Sequence, residues 1–437
     1  MKKIMFFAIM ALVMSMASCT NDDTNGGDPG MEIKPIPQAL SRVQQTDFAQ
    51  HNNKFANKLF AVLSAQSSLQ GQNVCLAPTS MQQTFSILAN GLEDDFRDKV
   101  VQAMGFESID ELNMENLALL NKLGQDDEYV KVALGNSLWI DRKWGPVKPA
   151  YASDMQKYYN ATIDMLNIFN NVDSVQNALN AWAKKMTNNV VSEFPMGIHN
   201  DTKMVVANIN CYEGKWAYPF NPAYTELQSF YNIDGKTKQV MTMSNTEELN
   251  AFVDKELKML ELPYGQGYYS MMLVMPTETE KLDSIAANAD WWTWHEKMTK
   301  REVSFTLPRF SIDTNWYHIE DLLPELGMPE AMELHLEKAM PNMTQLDMIH
   351  QTVALTVDES GTKAVTISSI SGDVASANEI YISFNKPFIF AIRENTTGAI
   401  LFMGKAAGDI AFYAYIVPFL VSTVGGSIIA GIILFAL

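Results

Sequence analysis

The sequence predicts a mixed α+β fold. Large apolar residues in its first part recur at three- and four-residue spacing, as in a helix packed on a core. These positions are Phe48, Phe55, Leu59, Phe60 and Leu63. Later segments are short and rich in β-branched or aromatic residues, as strands are, at 204–209, 268–275, 303–307, 353–357 and 380–384. Helices that come first and strands that come later favour α+β over alternating βαβ units.

The N-terminus predicts export. Two lysines precede an apolar run and then small residues, which is the order of regions in a secretory signal peptide. The sequence MASC at 16–19 resembles a bacterial lipobox, which implies cleavage before Cys19 and acylation of that residue. Residues 1–18 are then a lipoprotein signal peptide and 19–40, acidic and rich in glycine, a flexible tether. The alternative is a plain signal peptide cleaved near Ala17.

The rest of the chain divides into a domain at 41–407, in which a helical run at 80–90 stops at Gly91, and an apolar tail at 408–437. From Ile410 to the C-terminus the tail carries no charge, and it exceeds the roughly 20 residues that a membrane helix needs. Pro418 and Gly425-Gly426 weaken it as a straight helix. We therefore weigh a transmembrane segment against a tail that packs on the protein or a partner, or that is not native coding sequence.

Composition and motifs exclude several functions. The net charge of −18 makes the surface repel phosphate backbones, so nucleic acid is a poor partner. Cys75 and Cys211 lie in apolar strand-like runs and are predicted to be buried free thiols, although counting alone permits a disulfide. The chain has no GxSxG, HExxH or P-loop motif and no spacing typical of a metal site. We therefore expect no enzyme, no cofactor and no metal.

Four motifs lie near the C-terminus: VDESGT at 357–362, FNKPFIF at 384–390, TG at 397–398 and LFMGK at 401–405. The last three resemble the signature of the serpins, a family of serine protease inhibitors, and the first resembles the serpin hinge. Other segments, all upstream of these motifs, also resemble serpin segments and occur in the same order as in the family: Asn73, APTS at 77–80, Asn136, Asn208, YEGKW at 212–216, LPY at 262–264, LPRF at 307–310 and LG at 326–327. The resemblance covers about residues 41–407.

The resemblance implies three β-sheets, about nine helices and an exposed reactive-centre loop. A protease cuts this loop and forms an acyl-enzyme, and the cut loop then inserts into the main sheet and traps the protease. The hinge would comprise Glu359, Gly361, Thr362 and Ala364. The "shutter" and "breach" that control opening of the sheet would comprise Asn73, Ser80, Asn136, Asn208, Trp216 and Gln351. Two residues depart from the family pattern, since Ala77 replaces a usual serine and Gln351 a usual histidine.

The residues after the hinge permit insertion as a strand. If Thr362 points inward, the inward set is uncharged: Thr362, Ala364, Thr366, Ser368 and Ile370. The outward set then contains the one charge, Lys363, whereas a slip by one residue would bury it at a cost of several kcal/mol. An ordinary loop followed by an edge strand would show a similar polar composition.

The resemblance implies a reactive bond among Val374, Ala375, Ser376 and Ala377. The family's spacing, counted forward from Glu359, reaches Ala375-Ser376, and counted back from Phe384 it reaches Ser376-Ala377. These small residues suit elastase-like, subtilisin-like or papain-like proteases, and trypsin-like targets are disfavoured because no Arg or Lys is present. We expect a monomeric, membrane-anchored protease inhibitor at the cell surface or facing the periplasm. The alternative is a non-inhibitory serpin that acts as a binding or carrier module.

Overall fold

The computed structural model describes most of the predicted domain and the end of the tail. It covers residues 46–66, 69, 71–123, 127–168, 171–187, 191, 193, 202–316, 318–331, 335–340, 348–359, 380–408 and, for the backbone, 427–436. The signal peptide, Cys19, the tether, the hinge residues Gly361, Thr362 and Ala364, and the reactive bond at 374–377 lie outside these residues.

Helices dominate the first half of the described chain. They are α1 (Asp47–Ser64), α2 (Pro78–Gly91), α3 (Asp94–Ala103), α4 (Ile109–Lys122), α5 (Pro149–Tyr159), α6 (Val172–Met186), α7 (Leu282–Ala287) and α8 (Trp291–Lys297). Helix α1 begins where the Thr46 side chain accepts a hydrogen bond from the Ala49 N–H, at 3.2 Å, and it buries the predicted apolar positions. Helix α2 begins at Pro78, a residue suited to the first turn because it has no N–H to satisfy.

Most strands lie in the second half of the chain, although the first three lie among the early helices. They are β1 (Val74–Leu76), β2 (Val130–Asp141), β3 (Thr162–Leu166), β4 (Met204–Gly214), β5 (Glu226–Tyr231), β6 (Thr237–Val253), β7 (Leu257–Tyr264), β8 (Tyr269–Pro276), β9 (Thr299–Pro308), β10 (Phe310–Trp316), β11 (Met348–Val357), β12 (Ile380–Ser383), β13 (Phe388–Glu394), β14 (Ile400–Ala406) and β15 (Ser427–Ala436). Each predicted strand is present, most of them longer than predicted. The α+β prediction is confirmed.

Hydrogen bonding groups the strands into two connected sheets. The larger has the order β1-β14-β13-β8-β7-β6-β9-β12, with β5 also on β6, and the smaller has the order β10-β11-β15-β4-β2-β3. The long strand β6 pairs with β5 and β9 over most of its length and with β7 only at its end, from Ala251 to Val253. Counting the two parts joined by β6 separately gives three sheets, the number that the resemblance implies.

The six-stranded sheet is covered on both faces. Alternate residues of β4 enter different cores: Val206 joins the main core with α1 and α2, whereas Val205 and Ile209 pack with Trp182 of α6. A strand near the centre of this sheet therefore meets apolar surroundings on both sides. Cys75 and Cys211 are buried free thiols, as predicted, and burial raises the pKa of Cys211 to about 12.

A buried ion pair ties β7 to β13. Arg393 Nη2 lies 2.7 Å from Glu261 Oε1, and each side chain is only 1% exposed. Burial opposes ionisation of Glu261, but Arg393 and a hydrogen bond from His295 outweigh it, so the pKa of Glu261 lies well below its usual range. Ser270 and Asn250 donate further hydrogen bonds to the same carboxylate.

We expect Glu261→Gln to lower the free energy of unfolding by about 3–5 kcal/mol, because it removes the carboxylate that pairs directly with the buried Arg393 charge. Denaturant unfolding would measure the loss. The matched control is Glu248→Gln, whose partner Lys300 is 2.8 Å away in an exposed pair, and which should change stability by less than about 1 kcal/mol. Equal effects of the two variants would contradict this account.

Candidate functional site

Four buried polar side chains, which we call the polar cluster, lie under β4: Ser80, Gln83, Asn136 and Asn208. Asn208 Nδ2 donates to Asn136 Oδ1 at 2.6 Å and to Gln83 Oε1 at 3.1 Å, and the Ser80 hydroxyl donates to Asn208 Oδ1. Asn136 Nδ2 in turn donates to the Tyr159 carbonyl at 2.9 Å. The cluster thereby joins helix α2 to strands β2 and β4 through buried hydrogen bonds.

Gln351 makes the corresponding link from β11. Its side-chain Nε2 donates to the Ala77 carbonyl at 3.1 Å, and its Oε1 accepts from the Ala77 N–H at 3.2 Å. Both residues are fully buried. Because the contact uses only the backbone of residue 77, it does not need a serine side chain there. Helix α2 is therefore bonded to β4 through Ser80 and to β11 through Ala77.

Trp216 lies just after β4 and contacts the chain just after β11. Its indole Nε1 donates to the Asp358 carbonyl, just after β11, at 2.8 Å. Its ring stacks on Tyr264 with centroids 4.2 Å apart and planes 15° apart. The Phe220 N–H donates to the Glu359 carbonyl at 2.9 Å. The segment that follows Trp216 thus fixes the point at which the chain leaves β11.

Glu359, the first residue of the predicted hinge, is buried and forms an ion pair with the partly buried Arg309. Arg309 Nε donates to both carboxylate oxygens, at 2.7 and 2.8 Å, and Arg309 Nη2 donates to Oε1 as well. The Glu359 side chain is 8% exposed. This geometry is a bidentate charge-assisted contact, which is stronger than a neutral hydrogen bond. The chain after Glu359 therefore starts from an anchored residue at the end of β11.

Asn73 lies apart from the other predicted site residues. Its Oδ1 accepts from the N–H groups of Ala407 and Gly408, at 2.8 and 2.9 Å, directly after β14. The structure thus brings Ser80, Asn136 and Asn208 together. Gln351, on β11, bonds to the residue that precedes the same helix α2, and Trp216 and Glu359 lie near the end of β11. Asn73 instead fixes the beginning of the C-terminal tail.

Sequence reasoning missed two contributors to this site. Gln83 is one turn from Ser80 on a helix that is buried at every residue but Asn90, and a polar residue at a buried position is the signal that could have found it. Arg309 belongs to the LPRF motif, but its partner Glu359 is far away along the chain, so the motif does not indicate the contact. Neither role follows from local patterns.

A group of possible metal ligands lies between α1 and α4. Ligand atoms of His51, Glu111 and Glu115 are within 4.8 Å of one another, and all three residues are partly buried. His51 Nδ1 lies 3.6 Å from Glu115 Oε2, and Glu111 accepts a hydrogen bond from the Glu107 N–H just before α4. Burial raises the pKa of Glu115. We assign no metal to this group.

Comparison with known proteins identifies the family. The family model "Serpin (serine protease inhibitor)" matches residues 50–408, so the chain belongs to the serpins. An uncharacterized serpin-like protein of Methanosarcina mazei is 25% identical over 92% of this chain and 97% of its own length. A serine protease inhibitor of the jellyfish Cyanea capillata is 27% identical over 78% of this chain and 93% of its own length.

Solved structures show the same fold. The native thermophilic serpin tengpin matches with a TM-score of 0.74 at 21% identity, over 86% of this chain and 97% of its own. Thyroxine-binding globulin in complex with thyroxine matches with a TM-score of 0.73 at 21% identity, over 84% of this chain and all of its own. The predicted serpin fold is thus confirmed, and the chain belongs to a family made up mostly of protease inhibitors rather than enzymes.

We expect Gln351→Leu to lower the free energy of unfolding by about 1–3 kcal/mol, because the buried Ala77 N–H loses its acceptor. Thermal or denaturant unfolding would measure this loss. Gln239→Leu is the matched control, since Gln239 is an exposed strand residue, and it should change stability by less than about 0.5 kcal/mol. A Gln351→Leu protein as stable as the control would contradict the role given to this contact.

Proposed function

We propose that this serpin is a suicide-substrate inhibitor of serine or cysteine endopeptidases. The observation that carries the proposal is the pairing of β11. One edge of β11 is closed by β10, and its other edge faces β4 across the position that β15 takes in this structure. The reactive loop continues directly from β11 after the anchored Glu359, so its cut end can fold back beside β11 only at that position.

The proposed trap follows from the directions of the strands. Strand β15 is antiparallel to both β11 and β4, so these two strands run parallel to each other. Without a strand between them they could close only as a parallel pair, which is slightly less stable per residue than an antiparallel pair. A severed loop that inserts there would form two antiparallel pairs instead. This gain drives the insertion while the protease is still bound through its acyl bond.

The target class follows from the residues near the cut. The protease nucleophile attacks a carbonyl among Val374, Ala375 and Ser376, and the new amino terminus leaves with the C-terminal part of the chain. Small uncharged residues fit the narrow pockets of elastase-like and subtilisin-like enzymes, and Val374 suits papain-like ones. A relative named as a serine protease inhibitor supports this function class.

A carrier role is the second candidate, and one cavity favours it. A surface cavity of about 320 Å³ lies between α1 and α8, and its lining consists of Gln50, Asn53, Lys54, Asn57, Ala289, Asp290, Trp291 and Trp292. Its volume is at the lower end of ligand sites, but such sites are mostly apolar, whereas amides and charges make up much of this lining. We therefore prefer inhibition.

The inhibitor would act at a membrane surface. A lipid on Cys19 and the flexible tether at 19–40 would hold the domain outside the bilayer, where it meets foreign or self proteases. In the part of the chain that the structure describes, no helix is both long and apolar enough to cross a membrane. The anchor that we propose is the lipid on Cys19.

We expect the full-length protein, incubated with an elastase, to form a covalent complex that survives SDS, together with some cleaved chain. Thr362→Arg should abolish the complex and leave only cleaved chain, because the arginine would have to be buried in the sheet first. Lys363→Arg is the control, since the outward position already carries a charge. Cleavage of every variant without any covalent complex would favour the carrier.

We expect Cys19→Ala to move the protein from the membrane fraction to the soluble fraction and to abolish incorporation of labelled fatty acid. The reason is that acylation requires the cysteine, and the buried chains supply the membrane affinity. Fractionation and metabolic labelling would test this, with Ser18→Ala as the control because it retains the cysteine. Unchanged labelling of Cys19→Ala would reject the lipid anchor.

A further inference from the structure

The end of the apolar tail lies in the middle of the six-stranded sheet. Strand β15 pairs with β4 from Ser427 opposite Gly214 to Ala436 opposite Val205. On its other side it pairs with β11, from Ile429 opposite Leu355 to Ala436 opposite Met348. Both ladders are antiparallel, so β15 satisfies the backbone groups of both neighbouring strands along most of its length.

The sequence of β15 suits this position. The segment SIIAGIILFA at 427–436 has no charge and is rich in isoleucine. All of its β4 neighbours except Glu213 are buried, and these β4 residues face the main core and α6 in turn. A strand covered on both faces is typically a continuous apolar run, and a charge there would cost several kcal/mol.

The chain between the domain and β15 is long enough to connect them. The domain ends at Gly408, where Asn73 fixes the backbone, and residues 409–426 join it to Ser427. An extended chain covers at most about 3.3–3.6 Å per residue, so this connection can span up to about 60 Å. That length exceeds the diameter expected for a compact domain of this many residues.

We propose that the position between β4 and β11 is a peptide-binding site whose resident ligand is the chain's own C-terminal strand, which competes there with the cut reactive loop. The competition between the tail and the reactive loop rests on the proposed inhibitory function, whereas the position of the tail does not. Both segments would run antiparallel to β11, and only one at a time can pair with the edge of β11 that faces β4. Strand β15 must therefore leave before the loop inserts, and the tail sets how often cleavage ends in a trapped protease.

One substitution tests the position of the tail. Ala430 lies directly opposite Cys211, a free thiol, and opposite residues of antiparallel strands have Cα atoms about 4.5–5.5 Å apart, within the range of a disulfide. We expect Ala430→Cys, purified as the full chain with diamide as oxidant, to form a disulfide with Cys211 that peptide mass spectrometry locates. Diamide accepts the two electrons and two protons that the thiols lose.

The control for this test is Ile429→Cys. This position is opposite Tyr212, and adjacent strand positions point to opposite faces, so no disulfide with Cys211 should form. If Ala430→Cys stays reduced, or if both variants cross-link equally, the tail does not lie in the sheet. A tail that crosses a membrane would give this negative result.

Two variants then test the competition. The cross-linked Ala430→Cys protein should lose the covalent complex with elastase, and reduction should restore it to the level of the unmodified chain. Ile432→Pro should raise the fraction of complex, since proline cannot donate to the ladder and so weakens β15. Ser422→Pro, outside β15, should leave the fraction unchanged.

The outcomes separate the two proposals. A cross-linked protein that still traps protease as well as the unmodified chain overturns the competition. If the disulfide forms but neither the reduced chain nor Ile432→Pro ever gives a covalent complex, the inhibitory function fails while the tail keeps its place as ligand of the sheet.

Discussion

Strand β11 is paired on one edge with β10 and on its other edge with β15, and the proposed behaviour of the molecule depends on which strand holds that second edge. Around this edge, helix α2 bonds to β4 through Ser80 and to β11 through Ala77. Trp216 donates to the Asp358 carbonyl just after β11, close to the start of the predicted reactive loop. A strand that lies antiparallel to both β4 and β11 forms two antiparallel ladders, and a sheet covered on both faces favours an uncharged apolar strand there.

The polar contacts beneath this sheet show how the chain accommodates its departures from the family pattern. Gln351 offers a donor and an acceptor on one planar group, and it uses both on the backbone of a single residue, Ala77. The side chain at position 77 is therefore free to be alanine. The polar cluster does not depend on which side chain stands at position 77, because Ser80, Asn136 and Asn208 bond to each other and to Gln83.

The sequence predicted the features that repeat at short range or belong to a motif. The spacing of Phe55 and Leu59 predicted α1, and the apolar runs around Cys75 and Cys211 predicted buried thiols. The ion pair between Arg309 and Glu359 could not be predicted, because the two residues are 50 positions apart in the chain and meet only in the folded structure. The place of Asn73 beside Gly408 depends in the same way on tertiary structure.

The C-terminal tail shows the limit of pattern analysis most clearly. An uncharged apolar run fits a membrane span and a strand at the centre of a covered sheet equally well, since both environments exclude charge. What separates the two is whether the protein offers strand edges that the tail can pair with, and the parallel strands β4 and β11 offer two, both paired with β15 in the structure. Two antiparallel ladders satisfy the backbone groups of those edges. If the lipid on Cys19 already holds the protein at the membrane, the tail needs no second role there, and the sheet provides an alternative for the same apolar sequence.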